Sequence, residues 1–175
     1  MKKLNTSMLV KQALIAAIYF ALTVTLGDFS YGPIQFRYTE VLNLLAFFNP
    51  VHAVGVTLGV FLSNLMSPFG IYDVIFGTTH TAIALFFIAR CKNIIVASLW
   101  PMIFSFIIGF ELSVLAGIGG FIPMTVGVML SEFIIMTILA VPLFKTLERN
   151  PVFLKAIEAN QNITEVVKSA KRFEK

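Results

Sequence analysis

Between clusters of glycine, proline and charged residues the chain runs apolar in six stretches, 9–26, 35–49, 51–66, 72–89, 94–112 and 121–145. None keeps the period-two alternation that a membrane barrel strand requires, so each predicts a helix. Gly27-Asp28 bounds the first stretch, Gly32-Pro33 precedes the second, and Asn49-Pro50 makes a tight hairpin between the second and third. Ser67-Pro68-Phe69-Gly70, Arg90-Cys91-Lys92-Asn93 and Ala116-Gly117-Ile118-Gly119-Gly120 supply the remaining turns. At a rise of about 1.5 Å per residue the two hairpin helices are only about 22–24 Å long, so they are expected to stop short of one membrane face or to end in a polar vestibule.

Composition turns this pattern into a class. The 175 residues are 58% hydrophobic and 13% charged, with a mean hydropathy of +0.89. A membrane-crossing helix needs about 20 apolar residues. The expectation is therefore all-α: an integral membrane bundle of six transmembrane helices over residues 1–149, followed by a tail over 150–175 that is amphipathic or frayed. The first apolar run lacks a small-residue cleavage site and is long enough to span, which predicts a retained helix and not a removed signal peptide.

Charge orients the bundle. With six crossings, Lys2, Lys3, Lys11, Arg90, Lys92, Lys145 and the tail share one side, which leaves Arg37 as the one basic residue of 13 on the other. The positive-inside rule then predicts a multi-pass protein of the cell membrane with both termini cytoplasmic. The net charge of +4 reports this topology and does not point to nucleic acid. Cys91, alone in the chain, has no thiol partner and is expected to be inert.

Several chemistries lack their motifs. There is no G-x-x-x-x-G-K-[ST], no H-E-x-x-H, no C-x-x-C and no G-x-S-x-G. His52 and His80 fall at opposite predicted depths, against a shared metal site. No enzyme, cofactor or metal is expected.

Ionisable groups inside a bilayer are expensive, which makes them the first candidates for function. Arg37 and Glu40 open the second helix, Asn64 ends the third, Asp73 and His80 lie in the outer half of the fourth, Glu111 ends the fifth and Glu132 lies near the middle of the sixth. They converge on the outer half, whereas the cytoplasmic half offers mainly Thr57, Ser98 and Trp100, like a cup with a sealed floor. Structural alternatives stand beside each: an Arg37–Glu40 pair at i,i+3 on the helix surface, a Glu132–His80 bond that only holds helices together, and Asp28 and Asp73 as helix-end groups. Phe36, Tyr38, Tyr72 and Phe76 flank these groups and are placed to stack a flat ligand.

In the first helix Ala13, Ala17 and Ala21 recur every four residues, and Gly55 and Gly59 do so in the third. Small residues at that spacing admit a second helix, either within the bundle or from another membrane protein.

A small six-helix protein with this alanine stripe, an outward polar pocket and no nucleotide site resembles the substrate-binding S components of energy-coupling factor (ECF) transporters. Within that group, Gly32-Pro33-Ile34-Gln35-Phe36-Arg37-Tyr38-Thr39-Glu40 is similar to the Gln-Phe-Arg-x-Ser/Thr-Glu stretch of the QueT family, with Thr39 keeping the hydroxyl. The resemblance covers about residues 9 to 147. It implies a queuosine precursor as ligand, a 7-deazaguanine such as preQ1, preQ0 or queuine, and as partners a transmembrane coupling protein docking on Ala13, Ala17 and Ala21 and two ABC ATPases. A guanine-like edge presents an N–H and an amine that one carboxylate can accept together, and a carbonyl that an Arg, Asn or Gln can satisfy. The candidate ligand-binding set is Gln35, Arg37, Tyr38, Glu40, Asn64, Tyr72, His80 and Glu132. The alternatives are an S component for another vitamin, or a small self-sufficient transporter, which would need a polar path through the cytoplasmic half.

Overall fold

The computed structural model describes residues 6–31 and 35–159. Lys2, Lys3, the Gly32-Pro33-Ile34 start of the quoted stretch, the Asp28 side chain and residues 160–175 of the tail lie outside the described residues.

Six principal helices follow the six apolar stretches: α1 Thr6–Thr25, α2 Tyr38–Phe48, α3 His52–Asn64, α4 Asp73–Ile88, α5 Ile94–Leu115 and α6 Phe121–Leu147. Of these, α1, α5 and α6, at 20, 22 and 27 residues, are long and apolar enough to cross a membrane. The other three are shorter, as the hairpin lengths predicted for α2 and α3. Single turns at Asp28–Tyr31 and Pro151–Ala156 complete the described helices.

Helix α1 packs along α3, and glycine makes the close approach possible. A Cβ on Gly55 would lie 2.8 Å from the Gln12 carbonyl oxygen, and one on Gly59 would lie 2.6 Å from Tyr19 Cβ. The backbones can approach this closely only because both positions lack a side chain. The face of α1 used here carries Met8, Gln12, Ala16, Tyr19 and Thr23. Ala13, Ala17 and Ala21 lie on the other side of α1 and are exposed, in company with exposed Leu14, Ile18 and Leu22. Of the two small-residue patterns, the one in α3 is thus spent inside the bundle and the one in α1 is not.

The end of the bundle at the Asn49-Pro50 hairpin is plugged with apolar side chains. Phe48 stacks on Phe144 at 5.6 Å, and Phe153 meets Phe48 edge-on at 6.2 Å. Around them pack Leu44, Phe47, Ile88, Ala140 and Val141. The described part of the tail folds onto this plug. Asn150 caps the Pro151–Ala156 turn by accepting from the Val152 and Phe153 amides at 2.9 and 3.4 Å. Beyond it, Asn49 Nδ2 donates to the Glu158 carbonyl at 2.9 Å and Lys11 pairs with Glu158 at 2.8 Å. His52 Nε2 lies 2.7 Å from the Ile157 carbonyl, which can only accept, so the proton is on Nε2 and Nδ1 is left to accept from Gln12 Nε2 at 3.1 Å. His52 therefore serves the floor, far in role from a metal or ligand site. Cys91 accepts a bond from Trp100 Nε1 at 3.1 Å, a packing role.

Candidate functional site

At the opposite end from the plug, polar side chains replace apolar ones in the interior. Arg37, Glu40, Asn64, Asp73, His80, Glu111 and Glu132 are all buried. The local backbone explains how each carboxylate is aimed inward. Glu40 stands in the first turn of a 3-10 segment, Tyr38–Leu44, where residues three apart eclipse. That stacking sets Asn43 over Glu40, and Asn43 Nδ2 donates to Glu40 Oε2. The other three acids mark wide turns of π type, which carry one residue more than an α turn. Asp73 opens Asp73–Gly77, Glu111 opens Glu111–Leu115, and Glu132 immediately precedes Phe133–Ala140. Wide turns of this sort recur at functional sites because they redirect a side chain without ending the helix.

Arg37 precedes the first turn of α2 in extended backbone, φ −90° and ψ 92°, and so points away from Glu40. Its Nε donates to the Ser30 carbonyl at 3.0 Å, its NH2 group lies 3.5 Å from Asp73 Oδ2, and its guanidinium lies 5.5 Å from the centre of the Tyr31 ring. Ser67 also donates to Asp73, and Gln35 Nε2 reaches Asp73 Oδ1 at 3.5 Å. Gln35 itself has φ +48°, a strained value for a residue with a side chain. Its carbonyl is held by the Arg37 amide at 2.9 Å and by Ser131 Oγ of α6 at 3.5 Å. Glu40 takes its second donor from α1, Tyr19 Oη, at 2.7 Å. One turn further along α1, Thr23 meets Thr39 at 2.8 Å.

Asn64 Nδ2 donates to the Asp73 backbone carbonyl at 2.9 Å, which fixes its amide with Oδ1 turned away. His80 Nε2 lies 3.0 Å from the Pro101 carbonyl, so this nitrogen carries the proton. Pro101 has no amide to donate within α5, and a turn later the Ser105 amide bonds to the Met102 carbonyl at 3.3 Å. Arg37 is an electrostatic neighbour of both Glu111 and Glu132. Glu132 has Glu40 and Arg37 as its electrostatic neighbours, and Glu111 has Asp73 and Arg37.

Six of the eight residues singled out from sequence, Gln35, Arg37, Glu40, Asn64, His80 and Glu132, are brought into this cluster. Tyr38 and Tyr72 are not. They are 45% and 40% exposed, on the outside of the bundle. Tyr38 packs edge-on against Phe36 at 4.9 Å, and Phe76 meets Phe110 at 5.9 Å, so the expected aromatic sandwich does not form from these four. Two of the structural alternatives fall. Arg37 and Glu40 do not pair with each other, and both are buried, at 5% and 2% exposed. Nor does Glu132 bond to His80, whose Nε2 is engaged by the Pro101 carbonyl. Sequence reasoning undervalued Asp73 and Glu111 and missed Tyr19, Asn43 and Ser67. Asn43, three residues from Glu40 in the same apolar stretch, was the available signal.

The cluster is short of donors. Buried oxygens of Ser30, Asn43, Asn64 and Glu132 have no hydrogen-bond partner, while Glu111 has the Asp73 carboxylate as its hydrogen-bonding neighbour. A buried acceptor left in this state costs about 1–3 kcal/mol, which a structure tolerates where something else supplies the donor.

A protein-family model described as QueT transporter matches residues 9–149. Over 87 residues the chain is 47% identical to a protein of Lactococcus lactis subsp. cremoris (strain MG1363) named Queuosine precursor transporter QueT. That match takes in 49% of this chain and 51% of the other, so the chain spans about half the length of the curated relative. No solved structure matches the chain.

Proposed function

The chain belongs to the QueT transporter family, and from that membership we propose that it binds a queuosine precursor from outside the cell as the S component of an ECF-type importer. The ligand is a 7-deazaguanine such as preQ1, preQ0 or queuine. The bundle crosses the membrane six times with both termini cytoplasmic, which turns the polar cluster outward and the apolar plug toward the cytoplasm.

The observation that carries this reading is the donor-poor interior around Arg37. A guanine-like base brings what the cluster lacks: an N–H and an exocyclic amine along one edge for a carboxylate such as Glu132 or Glu40. Its carbonyl takes a donor from Arg37 or Gln35. The plug around Phe48 and Phe144 leaves no polar route onward, which disfavours a self-sufficient transporter. Energy then has to come from partners, a coupling protein and two ABC ATPases, and the exposed Ala13, Ala17 and Ala21 face is the surface that supports their docking.

Two measurements test it. Calorimetric titration of the purified protein with preQ1 should show saturable binding, and affinity purification from membranes should bring down a transmembrane coupling protein with ATPases. Absence of binding by any of the three 7-deazaguanines would reject the ligand class; purification alone, with transport intact in vesicles, would reject the S-component role.

A further inference from the structure

On the outside of the bundle, away from the polar cluster, α3 and α4 leave a groove of about 650 Å³ between them. Val54, Leu58 and Phe61 of α3 stand exposed along it, and the small side chain of Ala82 on α4 makes room opposite. From Val54 to Phe61 the groove follows α3 for about 10 Å at the helical rise. Its lining is mainly apolar, and Arg90, just beyond the end of α4, is the one charged residue among the described residues that line it. The guanidinium folds back over the groove wall, 3.4 Å from the centre of the exposed Phe86 ring, and its NH1 group donates to the Phe86 carbonyl at 2.6 Å. No carboxylate among the described residues pairs with it. Capping the last turn of α4 accounts for one N–H group of Arg90. The charge and the remaining donors are left over at the head of an apolar groove.

We propose that this groove seats one phospholipid with an anionic headgroup, its phosphate on Arg90 and one acyl chain along Val54, Leu58 and Phe61. The site stands apart from the polar cluster and from the transported ligand. Charge complementarity selects the headgroup, because a guanidinium presents a planar fork of donors that matches phosphate oxygens. A zwitterionic headgroup carries its own cation beside the phosphate, so the groove prefers a lipid such as phosphatidylglycerol to phosphatidylcholine. Lys92, exposed two residues beyond Arg90, adds a second positive charge at the same end. Shape selects a chain over a helix. Close helix packing needs small residues at the contact, and the projecting Val54, Leu58 and Phe61 hold another backbone off, whereas a thin, flexible acyl chain fits between them. In the orientation proposed above, the Arg90 end lies at the cytoplasmic leaflet, where anionic lipids are concentrated.

Native mass spectrometry of the purified full chain, freed of lipid in mild detergent and titrated with dioleoylphosphatidylglycerol or dioleoylphosphatidylcholine, tests the site. The first phosphatidylglycerol should bind at least about fivefold more tightly than the first phosphatidylcholine, the scale of one basic side chain against an anionic surface. Arg90→Gln should erase that preference, and Arg90→Lys, which keeps the charge, should retain part of it. Lys145→Gln removes the same charge from an exposed position on α6 outside the groove and should leave the preference intact. Ala82→Leu fills the groove with Arg90 in place and should weaken phosphatidylglycerol as well. Arg90 is exposed, so unfolding of Arg90→Gln without lipid should stay near wild type, and its titration then reports on binding. Equal binding of the two lipids by the wild type would overturn the inference. So would a preference that survives Arg90→Gln, or one that Lys145→Gln removes to the same extent, the mark of diffuse surface charge. Phosphatidylglycerol binding unchanged in Ala82→Leu, with a copurifying membrane protein lost instead, would give the groove to a helix of that partner and overturn it too. Each of these outcomes leaves the proposed function standing.

Discussion

Arg37 turns its guanidinium to Asp73, 36 positions along the chain and 3.5 Å away, and not to Glu40 three positions along its own segment. The pair ties the segment before α2 to the first turn of α4, with side-chain exposures of 5% and 0%. Removing one partner of a buried pair costs about 3–5 kcal/mol, because the other charge stays behind in a poor solvent. Arg37→Ala and Asp73→Asn should each lower the apo unfolding temperature sharply. The Arg37→Ala/Asp73→Asn double variant should be more stable than the sum of the single losses. A cycle built on Arg37 and Glu40 should give a smaller coupling, and a larger one there would show that the guanidinium belongs to Glu40 after all.

Tyr19 is the reach of α1 into the site. Its hydroxyl donates to Glu40 Oε1 at 2.7 Å from a fully buried position. Tyr19→Phe keeps the ring and removes one donor, which should cost about 1–3 kcal/mol of stability and shift ligand affinity in the same direction. Glu40→Gln and Glu132→Gln should each weaken preQ1 binding by more than about tenfold, the loss expected when ligand donors are left unpaired. Normal titrations for both glutamate variants would remove these residues from base recognition.

Ala17 lies on the free side of α1, so a bulky residue there has room in the isolated protein. Ala17→Leu or Ala17→Trp should leave ligand binding and unfolding temperature near wild type while uptake in cells and recovery of the coupling protein fall away. Loss of binding in step with uptake would return the stripe to internal packing.

Gly59 and Gly127 make a matched contrast. A Cβ at Gly59 meets Tyr19 Cβ at 2.6 Å and the Ala16 carbonyl at 3.0 Å, whereas one at Gly127 meets nothing within 4 Å. Gly59→Val should cost about 1–3 kcal/mol or more by prising α1 from α3, and Gly127→Ala should be neutral or slightly stabilising through helix propensity. Equal melting curves for the two would mean that the α1–α3 contact is looser than drawn.

How much of this was legible in the residues depends on the axis considered. Along the helices it was nearly all there: the stretch 94–112 became Ile94–Leu115, and 121–145 became Phe121–Leu147. Breakers such as Asn49-Pro50 act locally and can be read locally. Around the helices it was not. A water-soluble helix announces its buried face with an apolar stripe, but a helix in lipid is apolar on both sides, so only polar residues carry orientation. Glu40, His80 and Glu132 did carry it, since lipid would not accept them. Tyr38 and Tyr72 did not, because an amphipathic ring is at home in the site, in the core or at the membrane edge. The choice of Asp73 over Glu40 as the partner of Arg37 was also hidden, because it follows from an extended residue before α2 that spacing alone reads as helix. The roles of Asp73 and Glu111 turn on wide turns that no residue pattern announces.

Those wide turns give α4, α5 and α6 one surplus residue each, all at the level of the acids. A surplus of this kind resembles a dislocation in a crystal. It moves along the row by exchanging one hydrogen-bond partner at a time, and each residue it passes swings by about 100° while the lattice on either side keeps its registry. Each acid therefore stands where its helix is out of step with the regular α turns on either side. Deleting one residue, such as Phe133, expels the dislocation from α6 and should pin Glu132 in a single orientation; ligand exchange rates that did not change on that deletion would show the surplus to be static.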